Sequence, residues 1–444
     1  MSLRNLDEPQ FRKVLYSRLS PSRPITSIEL LKGRSKKLQQ IREAFASPGR
    51  HVFIYGDRGV GKTSLAQTAA NLHNSADAGP ISLSCGASFF QIIQDLLRNC
   101  SAPRARSTGT KKTVRVGMPV IGAEYQVSRD PIPLRQITSI NEAVYELRNA
   151  LQGYADEPVV VFDEFDLVTD DLDKQLFADL IKQVSDQDIR VKMIFTGIGR
   201  SISDLLKVHN STARYLETIE LQRLDIDSRL EIINDCADAL KVEVGRDTAI
   251  RIAMVSDGFP HYVHLICEKI FWHLFNKPDV VHKVIAQDYV EGICQAAAGI
   301  QAFLREAYNQ ATRKYTNDYE EVLWAAADSP LLERPSTEIF LSYKRILAHL
   351  PPERRISTTG EVKRDEASEE NLRKRFNQKI NRLKHEAHGH ILIGTRTGWY
   401  EFRENLVRGY VRLRAEEAGV PLEVDHHLLR SKFSTEVIKT LATG

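Results

Sequence analysis

The stretch His51-Val52-Phe53-Ile54-Tyr55-Gly56-Asp57-Arg58-Gly59-Val60-Gly61-Lys62-Thr63-Ser64 decides how the rest of the chain is read. Its first five residues are an apolar, β-favouring run that ends at glycine, and the residues from Ser64 to Ala70 have helical character. Strand, glycine-rich loop and helix in that order are the context in which G-x-x-x-x-G-K-[ST] carries a mechanism. Gly56, Gly59 and Gly61 reach backbone conformations closed to residues with a Cβ. The N–H groups of Asp57, Arg58, Gly59, Val60, Gly61 and Ser64 can then converge on phosphate oxygens at a helix N-terminus, where the dipole adds positive charge. Lys62 supplies a mobile ammonium to the β- and γ-phosphates, and the Thr63 hydroxyl a ligand for Mg²⁺. A plain glycine-rich connector would explain the glycines but not Lys62-Thr63.

A second signal lies at Pro158-Val159-Val160-Val161-Phe162-Asp163-Glu164-Phe165-Asp166. Four consecutive apolar β-formers read as a strand buried on both faces, and the carboxylates fall at its C-terminal end, where parallel α/β sheets bind ligands. Asp163 is the expected organiser of Mg²⁺ and its waters, and Glu164 the base that orients an attacking water. Asp166 serves equally well as a cap for the next helix. Further strands are expected at Pro80–Ser84, Val191–Phe195 and Thr218–Leu221, with helices at 89–97, 140–151 and 173–184 between them. Alternation of this kind predicts a parallel sheet covered by helices on both faces. Thr196, at the end of the strand beside the acidic one, can touch the attacking water or the γ-phosphate.

Composition bounds the remainder. The 444 residues hold 61 Lys+Arg against 58 Asp+Glu, a formal charge of +3, with 42% hydrophobic and 27% charged residues. That mix excludes disorder as a whole-chain reading. No run approaches the ~20 apolar residues of a membrane span, and the N-terminus lacks a signal-peptide core, so a cytoplasmic protein without membrane contact is expected. Five scattered cysteines with no CxxC pair do not make a disulfide framework.

Together these residues resemble an AAA+ ATPase of the initiator-like clade that includes origin-recognition ATPases, with traits shared by the STAND signalling ATPases. The resemblance rests on Leu31-Lys32-Gly33-Arg34, the loop Gly56 to Thr63, Phe162-Asp163-Glu164, Thr196 at the sensor 1 position, and a lone arginine, Arg214, just before the last strand. It covers roughly residues 28–300. It implies ATP or ADP with Mg²⁺ as cofactors and ATP hydrolysis as the reaction. Gly33-Arg34 would close over the adenine and ribose, and Arg214 would reach a neighbouring subunit's γ-phosphate in a homo-oligomer, making hydrolysis depend on assembly. Arg214 could instead pair with a local acid such as Glu217; Arg200 and Arg223 are less well placed for the finger. Where initiators place a sensor 2 arginine, this chain has Gly258-Phe259-Pro260-His261, closer to the GxP element of STAND proteins. Pro260 would pack near the adenine, and His261, with an ordinary pKa near 6.5, carries no assured charge. A slow, switch-like cycle is as compatible with this departure as steady turnover.

Two segments concentrate positive charge. Ser101 to Pro133 carries six basic residues against two acidic and reads as a basic hairpin inserted in the core, open to nucleic acid, to a partner or to solvent. Beyond residue 300, helices at 319–327, 336–347 and 369–386 precede a hairpin turned at Arg396-Thr397-Gly398, the pattern of a winged helix. From Arg373 to Arg414 eleven basic residues face three acidic, a local +8. Arg373, Arg375, Lys379, Arg382 and Arg396 are the candidate duplex DNA contacts; the same fold also serves protein contacts, so a protein effector is the other reading of that surface. The expected organisation is an arm over 1–27, an α/β P-loop core over 28–223 with its insertion at 101–133, a helical lid over 224–300, a winged helix over 301–420 and a tail over 421–444. The expected function is ATP-dependent control of assembly and DNA association; a nucleotide switch in a signalling or phage-defence module is the alternative.

Overall fold

The computed structural model describes residues 3, 6–74, 80–101, 136–152, 154, 157–199, 205, 210–312, 319–350 and 369–422. The expected basic hairpin, and Arg200, lie outside the described residues. Contacts divide the chain into two compact units: Arg34–Gly56 with Lys62–Glu220, and Met1–Gly33 with Asp57–Gly61 and Leu221–Gly444.

The first of these is an α/β unit. Strands β1 (His51–Tyr55), β2 (Ile81–Ser84), β3 (Val159–Asp163), β4 (Lys192–Gly197) and β5 (Leu216–Glu220) form one parallel sheet in the order β2-β3-β4-β1-β5. Helix α2 (Ser35–Ala46) precedes β1, and helices α3 (Lys62–His73), α4 (Phe89–Ser101), α5 (Ile140–Leu151) and α6 (Asp171–Asp186) lie between the strands. The register sets Phe162 beside Phe195 and Ile54 beside Thr196. Parallel strands need both faces covered, and the Val-Val-Val-Phe run of β3 is fully buried. Phe53, Phe162, Phe165, Phe177 and Phe195 fill the core as one aromatic group, with Phe162 and Phe195 stacked at 4.9 Å. Ser139 and Asp170 accept backbone N–H groups at the starts of α5 and α6, where polar caps satisfy otherwise orphaned donors.

The second unit begins with α1 (Glu8–Tyr16) and continues as α7 (Ile226–Leu240), α8 (Arg246–Val255), α9 (Pro260–Phe275) and α10 (Ala286–Ala298). Phe11 of α1 stacks on Phe275 of α9 at 4.3 Å. Gly292 lets α10 approach α9 closely, since a Cβ there would sit 2.3 Å from Ile270. Then follow α11 (Ala302–Thr312), α12 (Glu320–Ala327), β6 (Arg334–Pro335), α13 (Ser336–His349), α14 (Glu369–Arg382), β7 (Leu392–Arg396), β8 (Trp399–Phe402) and α15 (Asn405–Glu417). The three short strands form an antiparallel sheet in the order β6-β8-β7, and Gly398 at φ +76° closes the β7–β8 turn. Strand β6 is an Arg-Pro pair that carries no strand signal of its own. Among the described residues, no helix is long and apolar enough to cross a membrane.

Candidate functional site

In the α/β unit, β1 and β3 deliver their C-terminal ends to one side of the sheet. Lys62 opens α3, and its Nζ donates to the Gly56 carbonyl at 3.0 Å. The Thr63 hydroxyl faces both carboxylate oxygens of Asp163, at 3.0 and 2.9 Å. Thr196, 1% exposed at the end of β4, donates to Asp163 Oδ1 and accepts from the Glu164 N–H at 3.1 Å. Sensor-position threonine, acidic pair and P-loop threonine thus form one hydrogen-bonded chain. Glu164 has φ +58°, ψ +45°, a left-handed conformation that a non-glycine residue adopts at a cost. Its carboxylate lies 3.4 Å from the Ser84 hydroxyl at the end of β2.

A hard cation fits this donor set. Ligands at ~2.0–2.1 Å from an octahedral Mg²⁺ stand about 2.9 Å apart when adjacent. Thr63 Oγ1 and the Asp163 oxygens have that separation. Cys85 is buried beside the pair, and burial first, then the charges of Asp163, Glu164 and Asp166, push its thiol up to about 12.

Arg214, 65% exposed, lies in the same unit. Its guanidinium donates to the Tyr215 hydroxyl at 2.6 Å and stands 4.0 Å from Asp186. The expected partner Glu217 pairs with Arg50 instead, at 3.3 Å. Arg34 is buried at the start of α2.

Within the second unit, Asp57–Gly61 meets the start of α15 and the Gly-Phe-Pro turn. Asn405 Nδ2 donates to Asp57 Oδ2 at 3.1 Å, and Arg58 lies 3.7 Å from Glu404. Gly59, at φ +83°, takes a conformation that favours glycine, and a Cβ there would sit 2.8 Å from Leu406 Cδ1. Pro260 lies 3.9 Å from where a Gly61 Cβ would be. Gly33, at φ +67°, passes so close to α7 that a Cβ would meet the Ser228 hydroxyl.

His261 does not supply the missing cation. Its Nδ1 lies 2.8 Å from the Pro21 carbonyl, which can only accept, so Nδ1 carries the proton. Burial lowers its pKa further, holding it neutral at pH 7. The nearby charge that sequence reasoning missed is on Asp257, the residue before Gly258. Asp257, at φ +52° and 3% exposed, accepts from Arg223 at 2.6 Å and Arg408 at 3.0 Å, and pairs ionically with Arg412 at 2.9 Å. Burial, only partly opposed by Asp257, draws Arg408 down to about 9. The only sequence hint was an aspartate before a glycine, paired with two arginines four residues apart on an apolar helix.

The candidate DNA contacts differ in freedom. Arg373 and Arg375 are exposed on α14 while Phe376 and Ile380 are buried, so the helix turns charge outward. Arg373 stacks over Phe340 at 5.3 Å. Lys379 and Arg382 lie 3.4 and 3.2 Å from the hydroxyls of Tyr343 and Tyr319. Arg396 covers the Trp399 ring at 3.7 Å and pairs with Glu333 at 3.4 Å.

Residues 30–194 match the family described as AAA ATPase domain. No curated protein matches the chain significantly. Among solved structures, a Walker-type ATPase of Pyrococcus abyssi is similar at 17% identity and a TM-score of 0.51, over 88% of this chain and 98% of that one. Cdc6p of Pyrobaculum aerophilum aligns at 15% identity and TM-score 0.45, over 92% and 99% of the two chains. ORC1 of Aeropyrum pernix, solved in complex with DNA, aligns at 13% and 0.43, over 86% and 92%. At these identities the first likeness speaks for the fold alone.

Proposed function

We propose that this protein binds and hydrolyses ATP with Mg²⁺, and that its nucleotide state controls assembly and the association of its C-terminal module with duplex DNA. The observation that carries the hydrolytic part is the chain Thr63–Asp163–Thr196–Glu164. Thr63 and Asp163 would hold Mg²⁺, which when bound neutralises charge on the phosphates. Lys62 is the phosphate-binding ammonium, now resting on the Gly56 carbonyl. Glu164 orients the attacking water, and Arg214, 65% exposed, would exchange its contacts with Tyr215 and Asp186 for the phosphate of a second copy. Pro260 of the GxP step and Gly33-Arg34 would contact the adenine and ribose. Lys62→Ala is expected to abolish nucleotide binding, and Glu164→Gln to retain binding while cutting turnover by at least ~10²-fold. Turnover unchanged in both would sink the reading.

The C-terminal part is read as a winged helix, supported by the order α12-β6-α13-α14-β7-β8, with α14 as the recognition helix. Its exposed Arg373 and Arg375 support a duplex partner. A second reading, a slow nucleotide switch whose module contacts a protein effector, is favoured by the packing of Asp57–Gly61 under Glu404, Asn405 and Leu406. Nucleotide content of the purified protein separates the two: retained ADP in a monomer supports the switch, and rapid DNA-stimulated turnover supports the DNA-associated ATPase.

A further inference from the structure

A groove between α7 and α8 has no occupant among the described residues. It encloses about 440 Å³, has Ile226, Leu230, Val244 and Ile250 as its apolar lining, and carries the charges of Asp227 and Arg246. Leu422, the last described residue, packs with Leu230 against Ile250 and Met254. The chain therefore leaves its described part on the same apolar cluster that lines the groove.

We propose that the segment Val424–Leu441 of the same chain docks in this groove, with Val424, Leu428 and Leu429 filling it. Reach is ample: α8 spans residues 246–255, about 15 Å of helix, and six extended residues cover about 20 Å. The segment has apolar residues at 424, 428, 429, 433, 437, 438 and 441, of which 429, 433, 437 and 441 recur every fourth residue. Its charges are complementary to those of the groove, Asp425 to Arg246 and Arg430 or Lys432 to Asp227. Tethering at Leu422 gives this occupant a high effective concentration that no free partner has.

The test uses the full chain with p-benzoylphenylalanine installed at Asn234, an exposed residue of the groove. Irradiation should give a cross-link at monomer mass that maps to residues 424–441. A cross-link at dimer mass, which would mean the segment of a second copy, or one that reaches no peptide of this segment, overturns the proposal. In parallel, trypsin should cut after Arg430 and Lys432 at least tenfold more slowly in the full chain than in a synthetic peptide of residues 423–444. Asp227→Lys, at an exposed position, should speed that cleavage several-fold with the far-UV circular dichroism unchanged, and Leu230→Asp should bring it to the peptide's rate. Cleavage of the unmodified chain at the peptide's rate, or indifference to both substitutions, overturns it equally.

Discussion

Thr196 orders the acidic pair because one hydroxyl does two things: it accepts from the Glu164 N–H and donates to Asp163. It is a positioning residue in this respect. Thr196→Ala leaves the Glu164 N–H without its acceptor and Asp163 with the Thr63 hydroxyl in place of two donors, so kcat is expected to fall about 10–100-fold while the KM for ATP moves less than threefold. Steady-state kinetics over an ATP titration checks it; a KM effect with unchanged kcat would assign Thr196 to binding instead. A second residue-scale expectation concerns pH. Burial first, then the charge of Lys192, lowers His51 to about 3, and burial lowers His264 to about 4. Unfolded, each titrates near 6.5. Above that value both states are neutral and the full stability is present. As pH falls below it the unfolded chain takes up protons that the folded chain refuses, so stability declines at about 1.4 kcal/mol per pH unit for each histidine, until the folded values are reached. Melting midpoints should drop between pH 7 and pH 5, and His264→Gln should flatten that slope; an unchanged slope counts against the assignment. The P-loop and the acidic pair were legible because a local motif fixes their chemistry. Asp257 was not, since its three arginine partners lie at 223, 408 and 412, far apart in sequence.

At the scale of elements, α15 does more than close a C-terminal module. Its first turn lies on Asp57–Gly61, Arg408 and Arg412 hold Asp257, and Glu416 accepts from Arg251 and from the Tyr289 hydroxyl. A helix carrying that many buried ionic contacts ties the Gly-Phe-Pro turn to one conformation, because leaving any partner uncompensated is costly. Asp257→Asn keeps the shape and removes the charge shared by three guanidinium groups. It is expected to destabilise the second unit by about 3–5 kcal/mol, read as an earlier urea transition that leaves the α/β unit's own signal in place. No change in that transition would mean that the arginines are compensated elsewhere. Strand and helix positions in the α/β unit were readable from periodicity: helix 140–151 was expected and is found at Ile140–Leu151, and the run at 191–195 is found as Lys192–Gly197. Strand β6 was not readable, because Arg334-Pro335 pairs only through β8 and gains its conformation from that partner. Arg408 and Arg412 misled for a related reason: the same helical stripe that places them in the core looks in sequence like a basic surface.

Over the whole molecule the small net charge of +3 conceals where charge resides. The segment Arg373 to Arg414 counts +8 by sequence, yet Arg408 and Arg412 are buried on Asp257, and Arg414 pairs with Glu417. The charge available to a polyanion is therefore smaller than the count and sits mainly on α14 and the β7–β8 turn. This bounds what the segment Arg373 to Arg414 contributes to a duplex complex. If Arg373, Arg375, Lys379, Arg382 and Arg396 each neutralise one phosphate, affinity should fall with a log–log salt slope of about −4.5, or about 500-fold between 50 and 200 mM salt. Full use of the +8 would require a steeper slope than these five side chains can supply. Lys379, Arg382 and Arg396 must also give up or share their contacts with Tyr343, Tyr319 and Glu333 to reach phosphate, so they should contribute less than Arg373 and Arg375. Charge reversal at Arg375 is thus expected to weaken duplex binding more than reversal at Arg396, with ATP affinity unchanged in both. Fluorescence anisotropy of a labelled duplex across a salt series measures slope and ranking together. A flat salt response, or equal insensitivity to both reversals, would leave the basic face of α14 as a protein-contacting surface and favour the switch.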